Sequence, residues 1–368
     1  MAVASYVQTS ADQPPAPHYA TNDNFTLDQA NLFVAGAFGD HFGSFAQFTY
    51  DGVGRSFAWD NLDLRATDHT KLFGQNVLLG LSLNNNPGVQ DPWNTMAVWG
   101  FPYTDSHLSP APGAATVISG ALAQSVLGVS AYAWWNSEFY TEASLYWTPG
   151  RGFLRALGVD ADEGIGVLAN TAPYLRVGYE KRGREQNFHV GAFAFFPNLY
   201  PGGDQSTGSS DRYTDLGVDA SYQFTGLGEN TAQINAIYTH EAQKLNASAL
   251  LGASGQSDSL NDFRADVSYY WHNLFGGTVG FFDTWGTTDP IFYASNSTFK
   301  PDSRGFMVQL DATPFGTDPS SLGLRFNVRF GVQYRIFTEF DGATSNYDSL
   351  GHNASDNNTL RVFTWFAF

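Results

Sequence analysis

Two sets of charged residues have the spacing that could do chemistry. Arg325, Arg329 and Arg335 stand at even separations in "LRFNVRFGVQYRIFTEF", and Arg361 stands in the closing "NTLRVFTWFAF". Asp215 and Asp219 recur the same way in "TDLGVDASYQF", as do Asp262 and Asp266 in "LNDFRADVSYYW". Even spacing puts side chains on one face of an extended chain. Basic and acidic faces turned toward one enclosed space would create a transverse field that orients polar solutes and discourages apolar ones. The same charges pairing between strands would instead stiffen a wall. Covalent chemistry has less support. His240-Glu241 lacks the second histidine of a zinc protease, and neither a Gly-x-Ser-x-Gly elbow nor a P-loop occurs. His352 with Asp341, Asp348 and Asp356 could attract cations, although a solvated acidic segment is the commoner arrangement. The expectation is a protein without enzymatic activity and without a metal site.

The elements that must position these residues are long and extended. In "LRFNVRFGVQYRIFTEF", Leu324, Phe326, Val328, Phe330, Val332, Tyr334 and Ile336 alternate with Arg325, Asn327, Arg329, Gly331, Gln333 and Arg335. Period two over more than a dozen residues predicts a β-strand with one apolar and one polar face. Gln47, Thr49 and Asp51 form the polar face of another such segment, and Arg176 and Glu180 that of "PYLRVGYEKR". Similar patterns predict about sixteen strands, near residues 2–9, 25–38, 42–51, 58–66, 74–85, 124–136, 138–147, 172–181, 186–196, 212–224, 230–241, 260–272, 275–286, 303–313, 323–340 and 358–368. Short connections such as "GDHF", "WNSEF" and "HNLFG" alternate with long ones rich in Gly, Asn, Ser, Asp and Pro. Short and long ends are therefore expected on opposite rims.

Composition selects among the all-β architectures. Aromatic residues make up 16% of the 368 and charged residues only 14%, so much apolar surface must be hidden. No run of about 18 apolar residues exists to make a transmembrane helix. A bilayer admits strands only as a closed barrel, and bacterial barrels have even strand numbers, short periplasmic turns and long outer loops. The expected fold is all-β: residues 1–368 as a single transmembrane antiparallel β-barrel of about sixteen strands, located in the outer membrane of a Gram-negative bacterium. A soluble sandwich or propeller is disfavoured because its strands are shorter and no repeat of constant length appears. A net charge of -17 argues against nucleic acid as a partner. With no cysteine the chain cannot attach c-type haem covalently, so no cofactor is expected in it. "MAVASYVQTS" lacks the features of a signal peptide, so the expectation is a mature form or a start lying upstream.

The final strand ends on Phe368, with Phe366, Val362 and Leu360 at alternate positions before it, and Thr364 interrupts the pattern mildly. That ending resembles the signal read by the outer-membrane assembly machinery. A narrower resemblance rests on "YDGVGRSFAWDNLDLR", "NNNPGVQDPWNTMAVWGFPY", "LNDFRADVSYYW" and "FDGATSNYDSLGHNASDNNTL". These segments resemble the porin-like barrel of bacterial outer-membrane cytochrome–porin fusion proteins of the cytochrome c family, and the haem segment of that family is missing here. The resemblance implies electron transfer across the outer membrane, in some relatives from ferrous iron, with the haem supplied by an upstream segment or a separate cytochrome. It also implies that Met1 corresponds to an internal methionine.

The long connection from Asn86 to Leu122 is the third outer loop. In sixteen-stranded porins, which this topology resembles, that loop folds into the lumen. Asp91, Trp93, Trp99 and Asp105, with Phe101 and Tyr103, are then constriction candidates. The alternative is a lid over the rim with the aromatics as its core. Trp134, Trp135, Trp147, Trp271 and Trp365 lie near strand ends and suit an aromatic girdle at the membrane interface. Two functions follow. The first is a pore or conduit for small polar solutes or ions. The second is the sheath of an electron-transfer conduit working with a haem segment or a cytochrome partner. The lipid bilayer and the assembly machinery are expected partners in either case, and a homotrimer stays open.

Overall fold

The computed structural model describes residues 1–99, 104–160, 164–317 and 326–368, with the side chains of Trp99 and Leu227 outside that description. Sixteen strands close into one antiparallel barrel. They are β1 (Ala2–Thr9), β2 (Asn24–Phe38), β3 (Phe42–Asp51), β4 (Ser56–Leu72), β5 (Gln75–Asn84), β6 (Leu127–Trp135), β7 (Phe139–Trp147), β9 (Ala172–Arg182), β10 (Gln186–Phe195), β12 (Asp211–Leu227), β13 (Asn230–Lys244), β14 (Ser257–Trp271), β15 (Phe275–Gly286), β16 (Ser303–Ala312), β17 (Asn327–Glu339) and β18 (Thr359–Ala367). Two short strands, β8 (Gly166–Leu168) and β11 (Asn198–Pro201), pair with each other in the outer loops. β1 pairs with β2 on one side and with β18 on the other, running from Ala2↔Phe366 to Thr9↔Thr359. That closure leaves no sheet edge, which is what a strand in hydrocarbon requires.

Alternation in the sequence becomes a two-sided wall. Leu216 is 48% exposed, Val218 53% and Val267 54%, whereas Asp215, Asp219 and Asp266 on the opposite register are buried. The exposed registers form an apolar exterior of the kind a bilayer-facing wall requires. β4 runs on to Leu72, beyond the expected end near residue 66, through Thr67, Asp68, His69, Thr70 and Lys71. Here both faces are polar, so the hydrophobic signal stops while the hydrogen-bond ladder continues.

At the other end of β4, Ser56–Leu62 overshoots β5, whose pairing starts at Asp63↔Asn84. This free edge is covered. Leu62 N donates to Asn85 Oδ1 (2.7 Å), Asn85 Nδ2 donates to the Asp60 carbonyl (2.7 Å), and Trp59 N donates to the carbonyl of Leu157 (2.9 Å). Leu157 follows the short helix α1 (Arg151–Ala156), whose Leu154 packs on Trp59 with Leu62 and Leu127.

Four inward glycines share a local device. Gly80, Gly128, Gly217 and Gly331 stand directly across from Tyr132, Tyr146, Phe193 and Phe363. Each ring lies over its glycine, where a Cβ would come within 2.2 Å of a ring atom at Gly128 and 2.1 Å at the other three. The rings fill the groove that the missing side chain leaves, an arrangement that lets a sheet curve without losing inner-face packing.

Candidate functional site: the luminal constriction

Residues 85–126 between β5 and β6 are the third outer loop, and its described residues fold inward. Three groups of contacts fasten the loop to the wall.

The first is a buried ionic clasp. Arg176 on β9 is fully enclosed; its Nη2 lies 3.0 Å from Asp91 Oδ1 of the loop and 2.9 Å from Asp219 Oδ2 of β12. Its Nη1 also donates to Asp219 Oδ1 (3.0 Å), completing a bidentate fork. His189 Nε2 on β10 lies 2.9 Å from Asp219 Oδ2, and Thr95 Oγ1 of the loop donates to the same oxygen at 2.5 Å. Trp93 stacks flat on His189 with ring centroids 3.7 Å apart, and the Arg176 guanidinium sits 5.5 Å from the Trp93 ring. Asp91 Oδ2 accepts from Thr95 N (2.8 Å) and Met96 N (3.1 Å), so one carboxylate both turns the loop and anchors it.

The second group lies on the opposite wall. Arg361 donates to the Thr104 carbonyl (3.0 Å) and pairs with Asp28 (2.6 Å). Arg335 pairs with Asp105 and donates to the Pro110 carbonyl (3.2 Å). The third group returns to the first side, where Val117 N donates to Glu241 (2.6 Å) and Ile118 N to Asp215 (2.8 Å). Met96, Val117, Ile118 and Leu122 are buried there against Tyr146, Tyr174, Phe193 and Phe195. The loop thus fills one side of the lumen with an apolar core. A cavity of about 670 Å³ remains between Val98 with residues 104–115 of the loop and the wall that includes β2–β4, β14 and β17.

The candidates named from the sequence sort clearly against this geometry. Asp91, Trp93 and Asp105 meet the wall through the constriction loop; the Trp99 side chain, Phe101, Tyr103 and Arg325 lie outside the described residues. Among the described residues the arginine and aspartate sets do not stand as two bare opposed walls, because Arg329, Arg335 and Arg361 are paired with aspartates and Asp215 and Asp266 accept hydrogen bonds from neutral donors. Arg329 lies 3.5 Å from Asp311, Asp262 lies 3.0 Å from Arg264, and Asp266 accepts from Asn235 at 3.1 and 3.2 Å. Asp215 accepts the loop amide described above. On β18, Val362 and Phe366 are exposed on the outer face that Leu360 shares, and Phe368, just past the strand, is exposed too. Trp134 and Trp365 depart from the girdle assignment. Trp134 packs edge-on to Trp93 inside the barrel, and Trp365 lines the cavity under the Arg329 guanidinium. Arg176 was legible as a polar-face residue, but its role as the hub was not; nor was that of His189, Asp28 or Asp60. Their partners come from distant segments, and no local spacing encodes them.

The outer acids hold loops in place, Asp341 reaching the third outer loop and Asp348 and Asp356 serving their own. Asp341 accepts from Gly113 N (3.0 Å) and Asp356 from Asn353 N (2.7 Å), and Asp348 lies 2.5 Å from His352 Nδ1. Hydrogen bonding to Asp348 raises the proton affinity of His352. Burial opposes the shift at Asp348, but bonds from His352 and from backbone amides hold its carboxyl below the usual range. A raised histidine contributes stability that is present below its ordinary value of about 6.5 and lost as pH rises through the folded value. A depressed aspartate contributes stability lost as pH falls through its folded value. The 346–352 tip is therefore expected to be best protected between roughly pH 4 and 6.5. Proteolytic nicking there, normalised to an unstructured peptide, should rise as pH climbs above about 6.5, and His352→Gln should remove that rise.

Comparison with solved structures agrees with the architecture. OmpF of Salmonella typhi in complex with daunomycin superposes with a TM-score of 0.52 at 12% identity, covering 99% of this chain and 95% of that one. OmpT of Vibrio cholerae, expressed in the outer membrane, gives 0.49 at 8% identity over 100% and 95% of the two chains. The DcaP channel of Acinetobacter baumannii gives 0.39 at 10% identity over 100% and 94%. No protein-family model and no curated protein sequence matches this chain. The chain has the fold of a sixteen-stranded, porin-like β-barrel.

Proposed function

We propose that the barrel is a passive pore for small polar solutes and ions, with the third outer loop as its constriction. The observation that supports this most directly is the loop itself. It is fastened across the lumen to both walls and leaves beside it a cavity of about 670 Å³, large enough for a small solute. Both acids and bases reach that cavity, so a polar solute can exchange water for protein groups as it passes. In a planar bilayer the purified barrel should insert in discrete steps and conduct ions ohmically; inserted but electrically silent barrels would overturn the reading. No observation favours the alternative of a sheath for a haem-bearing partner. In the same reading, the outward face of Leu360, Val362, Phe366 and Phe368 is the strand recognised during assembly. Removal of Phe368 is expected to lower the yield of folded protein in the outer membrane several-fold while leaving refolding in detergent unchanged.

A further inference from the structure

One carboxylate of the luminal cavity differs from its neighbours. Of the cavity's acids, Asp105 pairs with Arg335 and Asp262 with Arg264. Asp60 on β4 has only neutral partners. Its Oδ2 accepts from Gln47 Nε2 and Thr49 Oγ1, each at 2.7 Å, and its Oδ1 from Gln124 Nε2 (3.2 Å) and Asn61 Nδ2 (3.3 Å). Among the described residues no Lys, Arg or His forms an ion pair with it, and the Met1 ammonium binds the Asn31 carbonyl oxygen instead (2.9 Å). Four donors fix the carboxylate in place and supply dipoles, but they leave its charge uncancelled. The anion is preorganised without a counter-ion.

The same cavity also presents aromatic rings. Phe33 on β2 and Phe45 on β3 form a tilted pair with centroids 5.9 Å apart, and Trp365 lines the cavity as well. An aromatic face attracts cations through its quadrupole, and the same face gives apolar contact to a ring or a methylated nitrogen. A fully hydrated metal ion would gain nothing from the rings, and an anion would be repelled by Asp60. A fixed carboxylate and π-faces lining one space of about 670 Å³ match an organic ammonium cation with an apolar or ring-bearing body.

We propose that Asp60, with Phe33 and Phe45, forms a subsite for organic ammonium cations at the constriction, so that the barrel selects this class among the solutes it admits. The proposal rests on reading the lumen as a solute path and makes it narrower. Binding is tested separately from conduction, by calorimetric titration of the barrel in non-ionic detergent with phenyltrimethylammonium, and with benzenesulfonate as the anion of similar size. The wild type should bind the cation at least about tenfold more tightly than benzenesulfonate. Asp60→Asn keeps the shape and removes the charge, and should lose about tenfold in cation affinity; Phe45→Leu should lose several-fold. Equal affinity for the two probes, or wild-type affinity in Asp60→Asn, would overturn the subsite. Should Asp60→Asn fail to fold, Phe45→Leu and the anion comparison still decide. A barrel that binds the cation yet conducts no ions would sink the pore reading and leave the subsite standing, whereas a conducting barrel that is indifferent to the cation would do the reverse.

Discussion

Arg176→Met is expected to release the third outer loop from the wall and to destabilise the barrel by about 3–5 kcal/mol, the usual consequence of removing one partner from a buried ionic group. The side chain removed is fully enclosed and holds Asp91 of the loop and Asp219 of the wall at 3.0 and 2.9 Å. Without it, two buried carboxylates face each other with only Thr95, backbone amides and His189 to satisfy them. Met has a similar length and no charge, so lost packing contributes little and the charge effect is isolated. The thermal unfolding transition in detergent should fall. In a bilayer the single-channel current should become larger and noisier, because the loop that narrows the lumen has lost one of its three fastenings. Adding Asp91→Asn and Asp219→Asn to Arg176→Met should restore most of the stability, since the unpaired charges, not the missing bond, cause most of the loss. Restored stability with a still noisy current would separate the energy of the buried charges from the geometry of the loop. An unchanged melting transition and current in the single variant would show that the loop is held by its apolar contacts alone.

The wall was legible in the sequence because a barrel in a bilayer imposes a periodic constraint on each strand separately. Leu216, Val218 and Val267 needed only their own alternation to be placed outside. The girdle assignment failed at Trp134 and Trp365 because proximity to a strand end was allowed to outweigh parity. Trp134 shares its register with Ser130 and Tyr132, and Trp365 with Arg361 and Phe363, all of them buried. The site was less legible. Asp91 meets Arg176 and Asp219 across separations of 85 and 128 positions, through a loop whose path no local pattern specifies. The charge of Asp60 was equally hidden. Asp262 meets Arg264 two positions along its own strand, whereas Asp60 is met by neutral donors, among them Gln124 of the third outer loop, whose path no local pattern specifies.

Gly128→Val is expected to damage the wall severely, at an order of 3 kcal/mol or more of lost stability and a poor refolding yield. A Cβ at Gly128 would meet Tyr146 Cε1 at 2.2 Å, so the ring must leave its place over the glycine. It has nowhere to go. Tyr146 is wholly buried among Met96, Leu122, Tyr174 and Phe195, and its hydroxyl donates to Asn84 Oδ1 (2.9 Å) and accepts from Gln90 Nε2 (3.1 Å). Moving the ring would therefore strain the core, orphan buried polar groups and disturb Gln90, the loop residue that also holds Glu142 of β7. Gly36→Ala is the matched control, because nothing lies within 4 Å of the added carbon. Unfolding of the two variants, read by circular dichroism in detergent, should separate them widely, with Gly36→Ala near the wild type. If the clash with this one ring is the cause, Gly128→Val combined with Tyr146→Ala should cost clearly less than the sum of the two single changes. Additive losses would mean that Gly128 is needed for the backbone itself, for instance for local twist of β6, and not as the seat of Tyr146. The cycle thus decides whether the four glycine–aromatic pairs are packing units or separate consequences of a curved sheet.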